Sequence, residues 1–261
     1  MNMRAFLNLP HILEVKSILC VQPHPDDNEI GAGGLLSILN DKGAKIVFAT
    51  VTDGRRGLSG RDISHEEIIK IRHKEKEEAG RILGVSKYID LLFEDGGDYS
   101  ISELTENLVK IFRSIRPELV LTVDPWTPYE AHPDHQKTGK AVAAAMLVAR
   151  NLSLPHLGES VTIEQIAFYS TPYPNTYIDI TNYWERKIEA IRAHKSQFEN
   201  HNWPLIYQLF YEQSKKWYKE GIEKGYFEAK DKNIEVQERL AETYKVLSIW
   251  ELHMFPDAVF S

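Results

Sequence analysis

The chain has 261 residues, enough for one large α/β domain with an appendage or for two small domains. With 43% hydrophobic and 26% charged residues it has the composition of a globular protein with a sizeable core, which excludes disordered, collagen-like and membrane-embedded chains. Lys and Arg number 31 against 38 Asp and Glu, so the formal charge of −7 supplies no field to attract nucleic acid or an anionic bilayer, and a small neutral or cationic ligand suits the balance better.

Residues 1–10 hold no apolar signal core, and the longest apolar stretch, 141–149, is too short to span a bilayer, so the expected location is cytoplasmic, with no membrane and no nucleic acid as partner. Short aliphatic or β-branched runs at 17–21, 45–52, 87–92 and 119–123 read as strands. Segments with helical spacing lie at 30–40, 64–83, 102–116 and 134–150. Gly43 and Gly84 stand just past two of these helices and Pro117 past a third, each followed by an apolar run. Alternating strands and helices with near-continuous apolar strands predict a doubly wound, mostly parallel (Rossmann-like) α/β sheet with strand order 3-2-1-4. The lone cysteine, Cys20, sits in the first apolar run and reads as a small buried hydrophobe; one cysteine excludes a disulfide framework and any cysteine-rich metal site.

Beyond residue 150 the pattern loosens. A loop is expected at 151–161, short strands at 165–169 and 176–180, a helix at 182–195 and a final strand at 246–254. The stretch 203–232 is aromatic and charged, and its aromatics must face a neighbour within the chain or across an oligomer. No linker or repeat divides the chain. The expected organisation is one domain over 1–261, with a core at 1–150 and a smaller C-terminal α+β extension at 151–261.

Two loops carry the chemistry. Pro23-His24-Pro25-Asp26-Asp27 follows the first strand, and Asp124-Pro125-Trp126-Thr127-Pro128-Tyr129-Glu130-Ala131-His132-Pro133-Asp134-His135 follows the fourth. In the expected strand order both open onto the crevice at the topological switch point, where α/β sheets bind ligands. His24, Asp27 and His135 supply two imidazoles and one carboxylate, a set suited to Zn2+ that leaves a fourth position for water. Asp26 is then a spare carboxylate, fit for a general base, and His132 a spare imidazole, fit to stabilise an oxyanion. Trp126 and Tyr129 either stack on a sugar ring or simply pack the loop. Gly31-Ala32-Gly33-Gly34 invites a dinucleotide reading, but the fingerprint needs glycine at 36, where Leu36 stands, and Asp26 and Asp27 would repel a pyrophosphate. A two-metal phosphodiesterase would need acidic ligands that the two loops do not supply.

The two signatures at 23–27 and 132–135 resemble those of the PIG-L (LmbE-like) zinc-dependent N-deacetylases, and the longer stretch 124–135 is similar to the diacetylchitobiose deacetylase branch. The resemblance extends through Thr52-Asp53-Gly54, the Arg72…Glu75…Leu83-Gly84-Val85 helix, Tyr177 to Thr181 and Lys187 to Gln197. It implies His24, Asp27 and His135 as ligands of one zinc per chain, Asp26 as the base and His132 as the oxyanion donor. It further implies sugar contacts from Arg72 and Asp95, a substrate-binding His253 near an active site, and a homo-oligomer, with a hexamer favoured. The implied reaction is removal of acetyl from a small N-acetylglucosamine-containing substrate such as N,N′-diacetylchitobiose; the alternative is a thiol-precursor glycoside of the N-acetylglucosaminyl malate type. Residues 199–240 match no pattern of the branch.

Overall fold

The computed structural model describes residues 6–57, 63–228, 238–254 and 258. In chain order the first half comprises β1 (Ser17–Gln22), α1 (Asp27–Asp41), β2 (Lys45–Thr52), α2 (His65–Leu83), β3 (Val85–Phe93), α3 (Ile101–Ile115), β4 (Leu119–Val123) and α4 (Pro133–Val148). The second half adds β5 (Gln165–Tyr169), β6 (Thr176–Asp179), α5 (Trp184–Ala193), α6 (Lys195–Phe198), α7 (Trp203–Glu223) and β7 (Ala241–Ser248).

Local chemistry explains where the helices begin and end. Ser64 and Glu67 form a reciprocal capping box at the start of α2, and Gly84 closes that helix in the left-handed conformation at φ 77°. The Ser100 hydroxyl accepts from the Glu103 backbone N–H at the start of α3. At the start of α4 the cap is His132, with Pro133 in the first turn.

Seven strands form one sheet in the order β3-β2-β1-β4-β5-β7-β6, parallel except for β7, which runs antiparallel to both its neighbours. The expected order 3-2-1-4 is present, so the chain winds one way from β1 and the other way from β4, and their carboxyl ends bracket the switch point. Successive strand residues serve opposite faces. Ile18, Cys20 and Phe48 pack against α1, α5 and α7, while Leu19, Val21 and Val47 pack against α3 and α4. Burying each such side chain stabilises the fold by roughly 1.5–3 kcal/mol, which is why strands covered on both faces read as unbroken apolar runs. The glycines of α1 serve this packing: a Cβ on Gly31 would lie 2.3 Å from the Tyr169 ring, and one on Gly34 2.5 Å from Ile180.

The second half departs from expectation in two places. The last strand is Ala241–Ser248, not 246–254. Its first residues are polar yet buried, because the Glu242 carboxylate accepts from the backbone N–H groups of Gly34 and Leu35 (2.8 Å each), from Lys187 Nζ (2.7 Å) and from the Tyr244 hydroxyl (2.6 Å). An apolar-run reading cannot see such a strand. After it, Glu251 accepts from the Ser248 N–H and hydroxyl and turns the chain away. The aromatics of α7 are partly used within the chain: Trp184 lies between Tyr207 and Tyr211, and Trp203 meets Phe198 edge-on. Leu205 and Leu209 stay exposed on the same helix. The 149–158 loop is organised by Arg113, which is buried and donates to the carbonyls of Ala149, Asn151, Leu154 and Gly158.

Candidate active site

The turn after β1 is fixed before any ligand is considered. Thr52 donates its N–H and its hydroxyl to the Pro23 carbonyl at 2.9 and 2.8 Å, which ties the turn to the end of β2. Asp26, the residue before α1, has φ 144°, a region that non-glycine residues rarely adopt. The surrounding bonds hold it there: Arg72 of α2 donates through Nη2 to the Pro25 carbonyl at 2.6 Å and to Asp26 Oδ2 at 2.9 Å.

His24, Asp27 and His135 converge as the sequence leads one to expect. His24 Nδ1 lies 3.3 Å from Asp27 Oδ2, and His135 Nε2 lies 3.5 Å from Asp27 Oδ1. One donor atom from each lies within 4.8 Å of the other two, close enough to hold a metal ion. The outer ring nitrogens are occupied by carboxylates. His24 Nε2 meets Asp134 at 3.3 Å and Asp95 at 3.4 Å, and His135 Nδ1 meets Glu130 at 3.1 Å. A carboxylate at the far nitrogen keeps the proton there and turns the other lone pair toward the shared centre, the usual support of a ligating histidine.

The electrostatics suit a cation. Burial alone would lower the His24 pKa, but the carboxylates of Asp134, Asp27 and Asp95 reverse this and push it up to about 12. Burial works to raise Asp27, yet His24 and His135 bring it down to about 2. Two imidazoles and an ionised carboxylate around one point form a borderline-soft donor set that fits a divalent ion such as zinc.

A second group, His24, Asp95, His132 and Asp134, gathers at the opposite edge of the His24 ring. Acids expected to be lacking near the two loops are therefore present. Asp134 is already engaged, accepting from the Gly96 N–H at 2.7 Å and the Tyr99 hydroxyl at 3.0 Å, and it faces His24 Nε2, so this group orients His24.

Asp26 is the carboxylate left over. Burial pushes its pKa up, against the pull of Arg72, to about 6, where a carboxylate is both ionised at neutral pH and basic enough to take a proton. His132 is exposed, stacks on His135 with ring centroids 5.0 Å apart, and accepts from the Asp134 N–H through Nδ1 at 3.3 Å. Its proton therefore belongs on Nε2. Desolvation and the neighbouring His24 lower its pKa, which makes it a neutral donor at physiological pH.

The residues expected to bind substrate are placed less uniformly. Arg72 is 3% exposed and spends its hydrogen bonds on Asp26, Pro25 and Gly54. Its guanidinium holds the spare carboxylate. Asp95, also buried, lies against His24 and accepts from the Arg56 N–H at 3.1 Å. Tyr129 is fully exposed, so the packing alternative does not apply to it. Trp126 is half-exposed and meets Phe168 edge-on at 5.5 Å. Trp126 and His253 line a cavity of about 360 Å³ with Phe168, Tyr173, Lys245 and Leu252, and its walls include none of the three converging donors. Sequence reasoning missed Glu130, Asp134 and Tyr99 as supports. The available signal was two acids interleaved with the histidines at 130–135, since ligating histidines ordinarily require carboxylate partners.

Comparison with known proteins places these observations in context. Residues 19–146 match the family model described as PIG-L, GlcNAc-PI de-N-acetylase. The chain is 39% identical over 197 residues, 74% of each chain, to a diacetylchitobiose deacetylase of Thermococcus kodakarensis. It is 28% identical over 189 residues to a probable N-acetyl-α-D-glucosaminyl L-malate deacetylase 2 of Bacillus cereus, covering 70% of this chain and 84% of that one. Among solved structures it is similar to the N,N′-diacetylchitobiose deacetylase of Pyrococcus horikoshii in complex with an inhibitor, with a TM-score of 0.81, 32% identity, and coverage of 98% of this chain and 96% of that one.

Proposed function

Because the chain belongs to the PIG-L family of de-N-acetylases, we propose that it is a zinc-dependent hydrolase that removes the acetyl group from an N-acetylglucosamine unit of a small substrate such as N,N′-diacetylchitobiose. The observation that carries this reading is the convergence of His24, Asp27 and His135 with Asp26 left over beside them. One zinc per chain, held by those three residues, supplies a Lewis acid that lowers the pKa of a water and polarises the acetamide carbonyl.

The chain's own groups do the rest. Asp26, ionised and fixed by Arg72, takes the proton of the attacking water as its oxygen bonds to the carbonyl carbon. His132 donates from Nε2 to the carbonyl oxygen as negative charge develops on it. Asp26 then delivers its proton to the nitrogen as the C–N bond breaks, leaving the free amine and acetic acid, which keeps the second water proton until it ionises to acetate in solution. Trp126 and Tyr129, on the loop that carries His132 and His135, offer aromatic faces to the sugar, and Asp95 supports both His24 and the sugar-facing wall. His253, beside Trp126, binds substrate at the rim.

The reading treats residues 1–261 as one cytoplasmic deacetylase unit whose C-terminal extension completes the pocket, with no nucleic-acid or membrane partner. Among the described residues, no helix is long and apolar enough to cross a membrane. Exposed Leu152, Trp250 and Met254 support a homo-oligomer, a hexamer by analogy with the branch. The similarity to a probable N-acetylglucosaminyl malate deacetylase supports the second reading of the substrate. Acetate release from N,N′-diacetylchitobiose, N-acetylglucosamine, N-acetylglucosaminyl malate and chitin, measured with zinc content on the same preparation, tests the proposal. Fastest release from the one- or two-ring substrates with about one zinc per chain is expected. No release from any of them by zinc-loaded protein would refute it.

A further inference from the structure

The contact between Asp26 and Arg72 joins two helices. Asp26 stands at the start of α1 and Arg72 in the middle of α2, so the 2.9 Å between them is set by how the two helices are held relative to one another. Both helices pack on α5, and the chain turns sharply at the end of α5 through residues 194–197. That corner reaches α2 through hydrogen bonds and α1 through a close histidine–carboxylate pair.

On the α2 side, the Ser196 backbone N–H and hydroxyl donate to the two oxygens of Glu75 at 2.6 Å each. Glu75 lies three residues after Arg72, on the same helix face. On the α1 side, His194 Nε2 lies 3.4 Å from Glu29 Oε1, and both side chains are fully buried. Glu29 lies three residues after Asp26. The corner thus engages, on each helix, an acid one turn beyond the residue that forms the Asp26–Arg72 pair. Gln197 extends the arrangement: its amide donates to the Ser196 hydroxyl at 3.0 Å, and a Cβ on Gly57 would sit 2.4 Å from Arg72 Nη1 and 2.9 Å from Gln197 Nε2. Arg72 is enclosed between Gly57 and this corner.

We propose that the 194–197 corner is a clamp that sets the placement of Asp26 against Arg72, with His194 and Ser196 as positioning residues for the deacetylation base. Packing alone would leave the two helices free to slide by a few tenths of an ångström, whereas a carboxylate that accepts twice from one serine fixes distance and direction together. Reaction rates respond steeply to such displacements of a reacting group. The inference rests on the reading of Asp26 as the base.

The test uses the zinc-loaded full chain with N,N′-diacetylchitobiose, comparing Ser196→Ala, Glu75→Gln, the double variant and Ser196→Thr, each with its melting temperature and zinc content. A drop in kcat of about tenfold is expected for each single variant, with KM and zinc content unchanged, because positioning acts on the chemical step. The double variant should lose no more than either single one, since both remove the same contact. Ser196→Thr, which keeps the hydroxyl, should recover most of the rate. In an Asp26→Asn background, Ser196→Ala should cost nothing further. Undiminished kcat in Ser196→Ala and Glu75→Gln, beside an inactive Asp26→Asn, would overturn the clamp alone. So would a loss of equal size in the Asp26→Asn background, which would mark a general effect on the fold. Near-normal turnover of Asp26→Asn itself would overturn the underlying reading of the base. His194→Gln adds the α1 side of the clamp, and the same pattern is expected of it.

Discussion

Asp134 offers the sharpest link between the support of the site and its capacity for metal. It is fully buried and accepts three contacts: Gly96 N–H at 2.7 Å, Tyr99 hydroxyl at 3.0 Å and His24 Nε2 at 3.3 Å. Asp134→Ala leaves the first two donors without an acceptor in a buried setting. At roughly 1–3 kcal/mol for each unsatisfied donor, the metal-free protein should lose roughly 2–6 kcal/mol of stability. The effect on metal is smaller than the loss of a ligand. Removing a carboxylate that orients a ligating histidine costs about 10–100-fold in affinity, and Asp95, still 3.4 Å from His24, should hold the loss near the lower end. His24 and other contacts bring Asp134 down to about 2 despite its burial. A depressed carboxylate pKa contributes stability that is fully present above its unfolded value near 4 and is lost as pH falls through the folded one. The stability gap between wild type and variant should therefore be constant at neutral pH and narrow from about pH 4 toward 2. Denaturant unfolding without metal gives the first number, free of stabilisation by bound zinc, and competition with a fluorescent chelator gives the second. An unchanged unfolding midpoint together with an unchanged zinc affinity would refute the reasoning.

Other outcomes follow from the same geometry. His24→Ala and His135→Ala should each drop zinc content from about one per chain to near none, read by elemental analysis after dialysis; full occupancy in either would remove that residue from the ligand set. The acid limb of kcat should lie at or below about pH 6, because Asp26 is raised to about 6 by burial and a nearby divalent ion favours its ionised form. Arg72→Met removes the charge that opposes this rise, so the limb should move to higher pH; an unmoved limb would mean that Arg72 does not act on the base. Arg113→Met should destabilise the protein by roughly 1–3 kcal/mol for each carbonyl that stays buried without a donor, while leaving zinc content intact.

What the sequence revealed and what it hid have physical causes. The parallel half was legible because strands covered on both faces must be largely apolar, and β1, β2, β4 and β5 each carry an apolar run interrupted only by a Thr or bounded by a polar end residue. The three converging donors were legible because they sit in two short loops at the ends of adjacent strands, where spacing and topology act together. The polar start of β7 was hidden because Glu242 is satisfied by groups some 200 residues earlier in the chain. His194 was hidden for a similar reason: within a helical stretch it reads as incidental, and its partner Glu29 comes from another helix. Arg72 and Asp95 were identified only through resemblance, and their bonds within the chain, to Asp26 and His24, depend on distances that no local pattern encodes.

Turnover of Asp26→Asn measures the central claim most directly. The substitution preserves size and hydrogen-bonding capacity but cannot take a proton from water, and it lies outside the set of residues that hold the metal. With N,N′-diacetylchitobiose as substrate, acetate release should fall by about two orders of magnitude or more while zinc stays near one per chain. Release within a few fold of wild type, at the same zinc content, would contradict the assignment of Asp26 and the chemistry built on it.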